Sequence, residues 1–207
     1  MNKLFILSGI AALSATLASA GTISYNTTGS TLSCGSAVSC VQNTSSSLTL
    51  GGTLMLTYNT GLGANVQTPS IINLGNITSS GTGSFLQASG VLLTINVNSN
   101  PPGGSGALPN GLISGSISTN NSSAIITFGP NNTTTGFGTL PGVNIGGVAT
   151  YQVLQTTLGL QAPTVGNPLG QTTIQGAVTS TATPEPGSIL LLSTGLVGFF
   201  AARKRLS

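Results

Sequence analysis

No Asp, Glu, Lys, Arg or His occurs between Gly21 and Thr183 of this 207-residue chain. Charged residues make up 2% of the sequence, against roughly one quarter in an ordinary soluble domain. The few that exist sit at the ends: Lys3 near the start, Glu185, and Arg203, Lys204 and Arg205 at the finish. This absence excludes whole classes of function. General acid–base chemistry needs a group that titrates near working pH, and the middle supplies none. A Ser or Thr hydroxyl without a neighbouring base is a poor nucleophile. Hard cations want carboxylate oxygens, so neither a calcium site nor a cofactor is expected. Nucleic-acid binding rests on Lys and Arg neutralising phosphates, so that partner is excluded as well. No enzymatic activity and no catalytic residue is expected, and Glu185 fits a place in the terminal tail better than a catalytic role.

Tryptophan is also missing, and the two cysteines, Cys34 and Cys40, lie six residues apart. Two thiols without His or carboxylate cannot complete a tetrahedral zinc site, so no metal is expected. In an exported chain an even pair this close is expected to form a disulfide that closes a small loop.

The first residues point to export. Lys3 supplies a basic start, Leu4 to Leu17 is apolar or small, and Ala18-Ser19-Ala20 reads as an A-x-A exit, with cleavage expected after Ala20. Residues 1–20 are therefore read as a signal peptide handled by a Sec-type translocon and signal peptidase. An N-terminal membrane anchor is the alternative, and the apolar run is short for a span.

A second apolar run covers 187–202, including Ile189-Leu190-Leu191-Leu192 and Leu196-Val197-Gly198-Phe199-Phe200. As a helix it would be about 24 Å long, slightly less than the hydrocarbon core of a bilayer. Arg203, Lys204 and Arg205 follow at once, and such cations stay on the cytoplasmic side. Both ends thus predict one orientation, with the middle outside and the last residues inside. Pro184 and Pro186 interrupt any helix before the span.

Pro184-Glu185-Pro186, an apolar helix and the basic Arg203-Lys204-Arg205 stop together resemble the PEP-CTERM sorting domain of Gram-negative bacteria. The same type of tail is also known as the ice-binding protein C-terminal domain. The resemblance covers roughly the last 25 residues, read as a tail at 184–207. It implies anchoring in the inner membrane, processing near Pro184–Pro186 by an exosortase-like membrane enzyme, and delivery to the cell surface or extracellular polysaccharide. The chain departs slightly from the family's pattern, with Thr183 before the motif and Gly187 after it. A plain C-terminal anchor is the alternative.

The middle, 21–179, is rich in Ser, Thr, Asn and Gly, and 180–183 reads as a short polar linker. Its apolar residues alternate with polar ones. Leu54, Leu56 and Tyr58 share one face, as do Val91, Leu93, Ile95 and Val97, then Ala149, Tyr151 and Val153, and finally Ile174, Gly176 and Val178. Period two with many β-branched residues predicts half-buried strands. Further strands are expected near Thr22–Asn26, Ser70–Thr78, Leu112–Ser118 and Ala124–Phe128. Turn-rich separators such as Asn100-Pro101-Pro102-Gly103-Gly104 fall between them. The fold class predicted is all-β: a single antiparallel domain, sandwich-like or barrel-like, flanked by a signal helix and a transmembrane helix.

Two functional readings follow. One is a non-enzymatic structural or adhesive component of the surface or extracellular matrix, with neutral polysaccharide as its partner. The other is a small carbohydrate- or ice-binding module. Ring stacking on sugars would need exposed aromatics, yet Tyr58 and Tyr151 fall on apolar strand faces and are expected in the core. Asn26, Asn43, Asn76, Asn121 and Asn132 begin Asn-x-Ser/Thr triplets, which a chain of this composition produces by chance.

Overall fold

A computed structural model describes residues 21–35, 39–85, 90–129, 142–180 and 194–195. Every strand pairing among them is antiparallel. The expected signal helix at 1–20 lies outside the described residues. So does the apolar run at 187–202, apart from Thr194 and Gly195, which are helical. Among the described residues no helix is long and apolar enough to cross a membrane.

Three sheets carry the fold. The first has four strands in the order β11 (Gly104–Ala107), β10 (Asn96–Asn100), β1 (Thr22–Asn26), β6 (Leu62–Gln67). In the second, β17 (Thr157–Gly159), β14 (Ile125–Phe128), β12 (Gly111–Ser118), β9 (Val91–Thr94) and β2 (Thr31–Ser33) run side by side. There β8 (Gly83–Phe85) and β13 (Asn121–Ser122) also pair with β12. The third sheet has seven strands: β15 (Val143–Ile145), β16 (Ala149–Val153), β18 (Gly170–Ser180), β7 (Ser70–Ser80), β5 (Leu54–Thr60), β4 (Ser47–Leu50) and β3 (Cys40–Thr44).

The first two sheets form one curled layer, because the chain passes directly between them three times, from β1 to β2, from β9 to β10 and from β11 to β12. Val91, Leu93, Ile95 and Val97 are all fully buried, as the alternation requires, but the run is shared between two sheets. β9 belongs to one sheet, β10 to the other, and Ile95 is the crossing point. The neighbouring passage from β1 to β2 is held to it by side chains. Ser30 Oγ accepts from the Asn96 N–H at 3.0 Å, and Asn96 Nδ2 donates to the Gly29 carbonyl at 2.8 Å.

The third sheet packs against the first two, and side chains from all three sheets make one buried core. Along β18 the alternation buries Thr172, Ile174 and Val178 and exposes Gln171, Thr173, Gln175 and Thr179. On β5, Leu54, Leu56 and Tyr58 turn inward while Met55 and Asn59 are exposed. β18 continues through Ser180, which pairs with Ala149, so the strand takes in a residue that the sequence places in the linker.

Buried polar groups find partners, as a low-dielectric interior demands. Thr172 Oγ1 accepts from the Gln161 N–H at 2.8 Å, and Ser79 Oγ donates to the Gln161 carbonyl at 2.8 Å. Tyrosine hydroxyls make further ties within the core. Tyr25 donates to the Asn73 carbonyl at 2.9 Å, and the Tyr151 hydroxyl pairs with Ser99 Oγ at 2.6 Å. Tyr58 reaches both the Leu74 carbonyl at 2.5 Å and Thr27 Oγ1 at 2.9 Å. A β-bulge at Gly75 makes the Leu74 contact possible. Its φ is 126°, and an added Cβ would stand 2.5 Å from the Asn59 carbonyl and 2.6 Å from the Tyr58 hydroxyl, so only glycine fits.

Where the chain crosses from β2 to β3, Cys34 and Cys40 are joined by a disulfide. Beside it, Gln42 folds its amide over the outer edge of β2. Its Nε2 donates to the Leu32 carbonyl at 2.6 Å and to the carbonyls of Thr44 and Ser47, while its Oε1 accepts from the Cys34 N–H at 3.1 Å. The Leu32 N–H is taken by the Ser45 carbonyl at 2.8 Å.

Candidate functional site

The outward face of the third sheet carries rows of polar side chains that the strand register lines up. Reading across the strands, Gln171, Thr78, Thr57, Ser47 and Thr44 form one row. Thr173, Asn76 and Asn59 form the next. These side chains are exposed or half-buried. Neighbouring strands stand about 4.8 Å apart, and same-face residues along a strand about 7 Å apart, so hydroxyls and amides repeat on a shallow grid.

Neighbours on this grid partly satisfy one another. Asn59 Nδ2 donates to Asn76 Oδ1 at 2.9 Å, Thr44 Oγ1 and Ser47 Oγ are 2.8 Å apart, and Asn43 Nδ2 donates to Thr49 Oγ1 at 2.9 Å. Apolar residues flank the rows: Val41 and Met55 toward one end, 61% and 42% exposed, and Ile71 toward the other at 67%. The face offers donors, acceptors and a few methyl groups, and no charge.

The aromatics are elsewhere. Tyr25, Tyr58, Tyr151 and Phe128 are all buried, so none of them presents a ring to a sugar. Tyr25 and Tyr151 instead face each other in the core, with ring centres 6.2 Å apart. Burial pushes all three tyrosine hydroxyls above their ordinary range near 10, because the phenolate would lose its hydration. Among the described residues no group of three or more His, Cys, Asp or Glu could hold a metal ion. The tyrosine ties and the buried Thr27 hydroxyl were not foreseeable from sequence pattern, since partners 31 and 52 residues apart carry no local signal.

The sorting residues form a separate candidate. Pro184, Glu185, Pro186, Arg203, Lys204 and Arg205 lie outside the described residues, as do Ala18 and Ala20 at the expected signal cut. Residues 182–205 match the family model of the PEP-CTERM protein-sorting motif. The match takes in both the Pro-Glu-Pro element and the basic stop. No curated protein and no solved structure matches the chain.

Proposed function

We propose that this chain, a bearer of the PEP-CTERM sorting motif, is an exported, non-enzymatic protein of the cell surface or extracellular matrix. The observation that carries the reading is the motif at 182–205 joined to an all-β body without a single ionic side chain. A Sec-type translocon and signal peptidase deliver the body. The tail holds it in the inner membrane until an exosortase-like enzyme works near Pro184–Pro186. The body then acts as a structural or adhesive component among neutral polysaccharide.

The grid on the outward face supports this partner. It presents hydroxyls and amides to a ligand built of hydroxyls, and it has no charge for an acidic or basic polymer to pair with. Its interactions are therefore insensitive to ionic strength. The reading as an ice-binding module has less support, because the rows mix Gln, Asn, Ser and Thr instead of repeating one residue.

Deleting 184–207 and fractionating cells, medium and matrix tests the sorting step. The shortened protein is expected to appear free in the periplasm or medium. Its retention at the location of the full chain would refute the role of the tail.

A further inference from the structure

At the end of the third sheet where β4 turns into β5, the outward face changes character. Val41, Thr49, Met55 and Ser80 stand level with one another on β3, β4, β5 and β7. Leu169 continues the row on the far side, one residue ahead of Gly170, the partner of Ser79. Val41, Met55 and Leu169 are 61%, 42% and 48% exposed, and the half-buried hydroxyls of Thr49 and Ser80 lie between them. From strand to strand the row therefore alternates apolar side chain and hydroxyl. Strand spacing sets one step every ~4.8 Å and one apolar side chain every ~9.6 Å, over a length of about 19 Å. The wholly polar row runs beside it. Gln171, Thr78, Thr57 and Ser47 are each two residues from a member of the first row, which puts the two rows about 7 Å apart.

We infer that this pair of rows binds one extended, β-1,4-linked neutral glycan chain lying across the strands. The inference rests on the reading of neutral polysaccharide as the partner and names its kind. In such a chain each ring is turned over relative to the last, so the same ring face returns to one side at every second ring. The strand spacing is close to the rise of one ring, and the apolar side chains at every second strand match the two-ring repeat. Val41, Met55 and Leu169 then cover C–H faces, Thr49 and Ser80 meet the hydroxyls between, and the polar row bonds the edge of the ribbon.

An α-linked chain of the same sugar coils and cannot keep this register. The complete lack of ionic groups in the body matches an uncharged ligand and offers nothing to a uronic acid or sulfate. Sheet twist turns the side chains by roughly 20° from one strand to the next. A single chain can follow that turn, whereas a flat crystal face, of glycan or of ice, cannot.

The test uses the full chain in a detergent without a sugar headgroup and reads the fluorescence anisotropy of end-labelled cellohexaose and maltohexaose, which differ only in linkage. Cellohexaose should bind at least about tenfold more tightly, and equally well at low and high salt. Met55→Thr places a good strand former at an exposed position and should weaken that binding at least about fivefold. Ile71→Thr, on the same face but outside both rows, should leave it unchanged. Should Met55→Thr unfold the body, Val41→Thr takes its place. Equal binding of the two hexasaccharides, or equal losses from Met55→Thr and Ile71→Thr, overturns the site and leaves the polysaccharide reading standing. Failure to bind cellohexaose also overturns the site, and failure with neutral glycans of every linkage brings down the polysaccharide reading with it. Self-association that Met55→Thr abolishes, without cellohexaose binding, would assign the row to a second copy of the chain and overturn the site as well.

Discussion

Stability of the released body should be flat across the whole range in which most proteins respond to acid. Acid denaturation comes from carboxylates and histidines that titrate differently in the folded and unfolded chain, and residues 21–183 contain none. Chain ends created by cleavage before Gly21 or beyond Thr183 would find no charged partner in 21–183. The alkaline limb is different. The chain's three tyrosines are all in the core, and desolvation holds each hydroxyl above its ordinary value. A raised pKa means that the folded state keeps protons the unfolded state gives up. The stability is therefore fully present below about pH 10 and is lost as pH climbs from there toward the folded values. Each retained proton steepens the fall by 1.36 kcal/mol per pH unit, so three of them give at most about 4 kcal/mol per unit. The fall ends once pH passes the folded values, so its total size is set by how far burial raises the three hydroxyls. Urea unfolding followed by far-ultraviolet circular dichroism at a series of pH values measures this directly. Replacing one tyrosine by Phe should reduce the alkaline slope by about one third, that is by ~1.4 kcal/mol per unit. A change above about 1 kcal/mol between pH 5 and 9, or an alkaline limb indifferent to Tyr→Phe substitution, would refute the reasoning.

Two further outcomes concern the ties between layers. Tyr58→Phe leaves the Leu74 carbonyl and the Thr27 hydroxyl short of a partner in the core, which should cost about 1–3 kcal/mol and lower Tm by several degrees; a shift within error would show that water replaces the hydroxyl. Cys34→Ser with Cys40→Ser opens a loop of separation six, worth about 2 kcal/mol by chain entropy, and the loss should be matched by adding reductant to the unmodified protein. If reductant has no effect on Tm, the cross-link contributes nothing to stability.

Most of the core was legible in the alternation. The inward sets on β5, β16 and β18, and the positions of Tyr58 and Tyr151, follow from period two alone, and Thr22–Asn26 is the observed extent of β1. The short strands β2, β11, β15 and β17 were not legible, because three or four residues are too few to show a period. The run from Val91 to Val97 marks a different limit. Burial on one side is the same whether a strand stays in its sheet or passes to the next, so the pattern showed which side chains turn inward and not the crossing at Ile95. The sorting motif was legible because it is a linear address of residue types in order. The outward grid depends on register between β5, β7 and β18, such as Asn59 with Asn76 and Asn76 with Thr173, and no single stretch of chain contains it.

The amide of Gln42 has a consequence for how such a protein survives crowding. Natural sheets usually guard their open sides with lysine or another ion, whose hydration keeps neighbouring molecules from adding on. A chain stripped of ions has to use another guard. Here a side chain of β3 occupies the bonding positions of Leu32 and Cys34 that an incoming strand would seek. The open side of β2 is thus closed to strands of neighbouring copies by a neutral plug whose bonds depend on no ionic group.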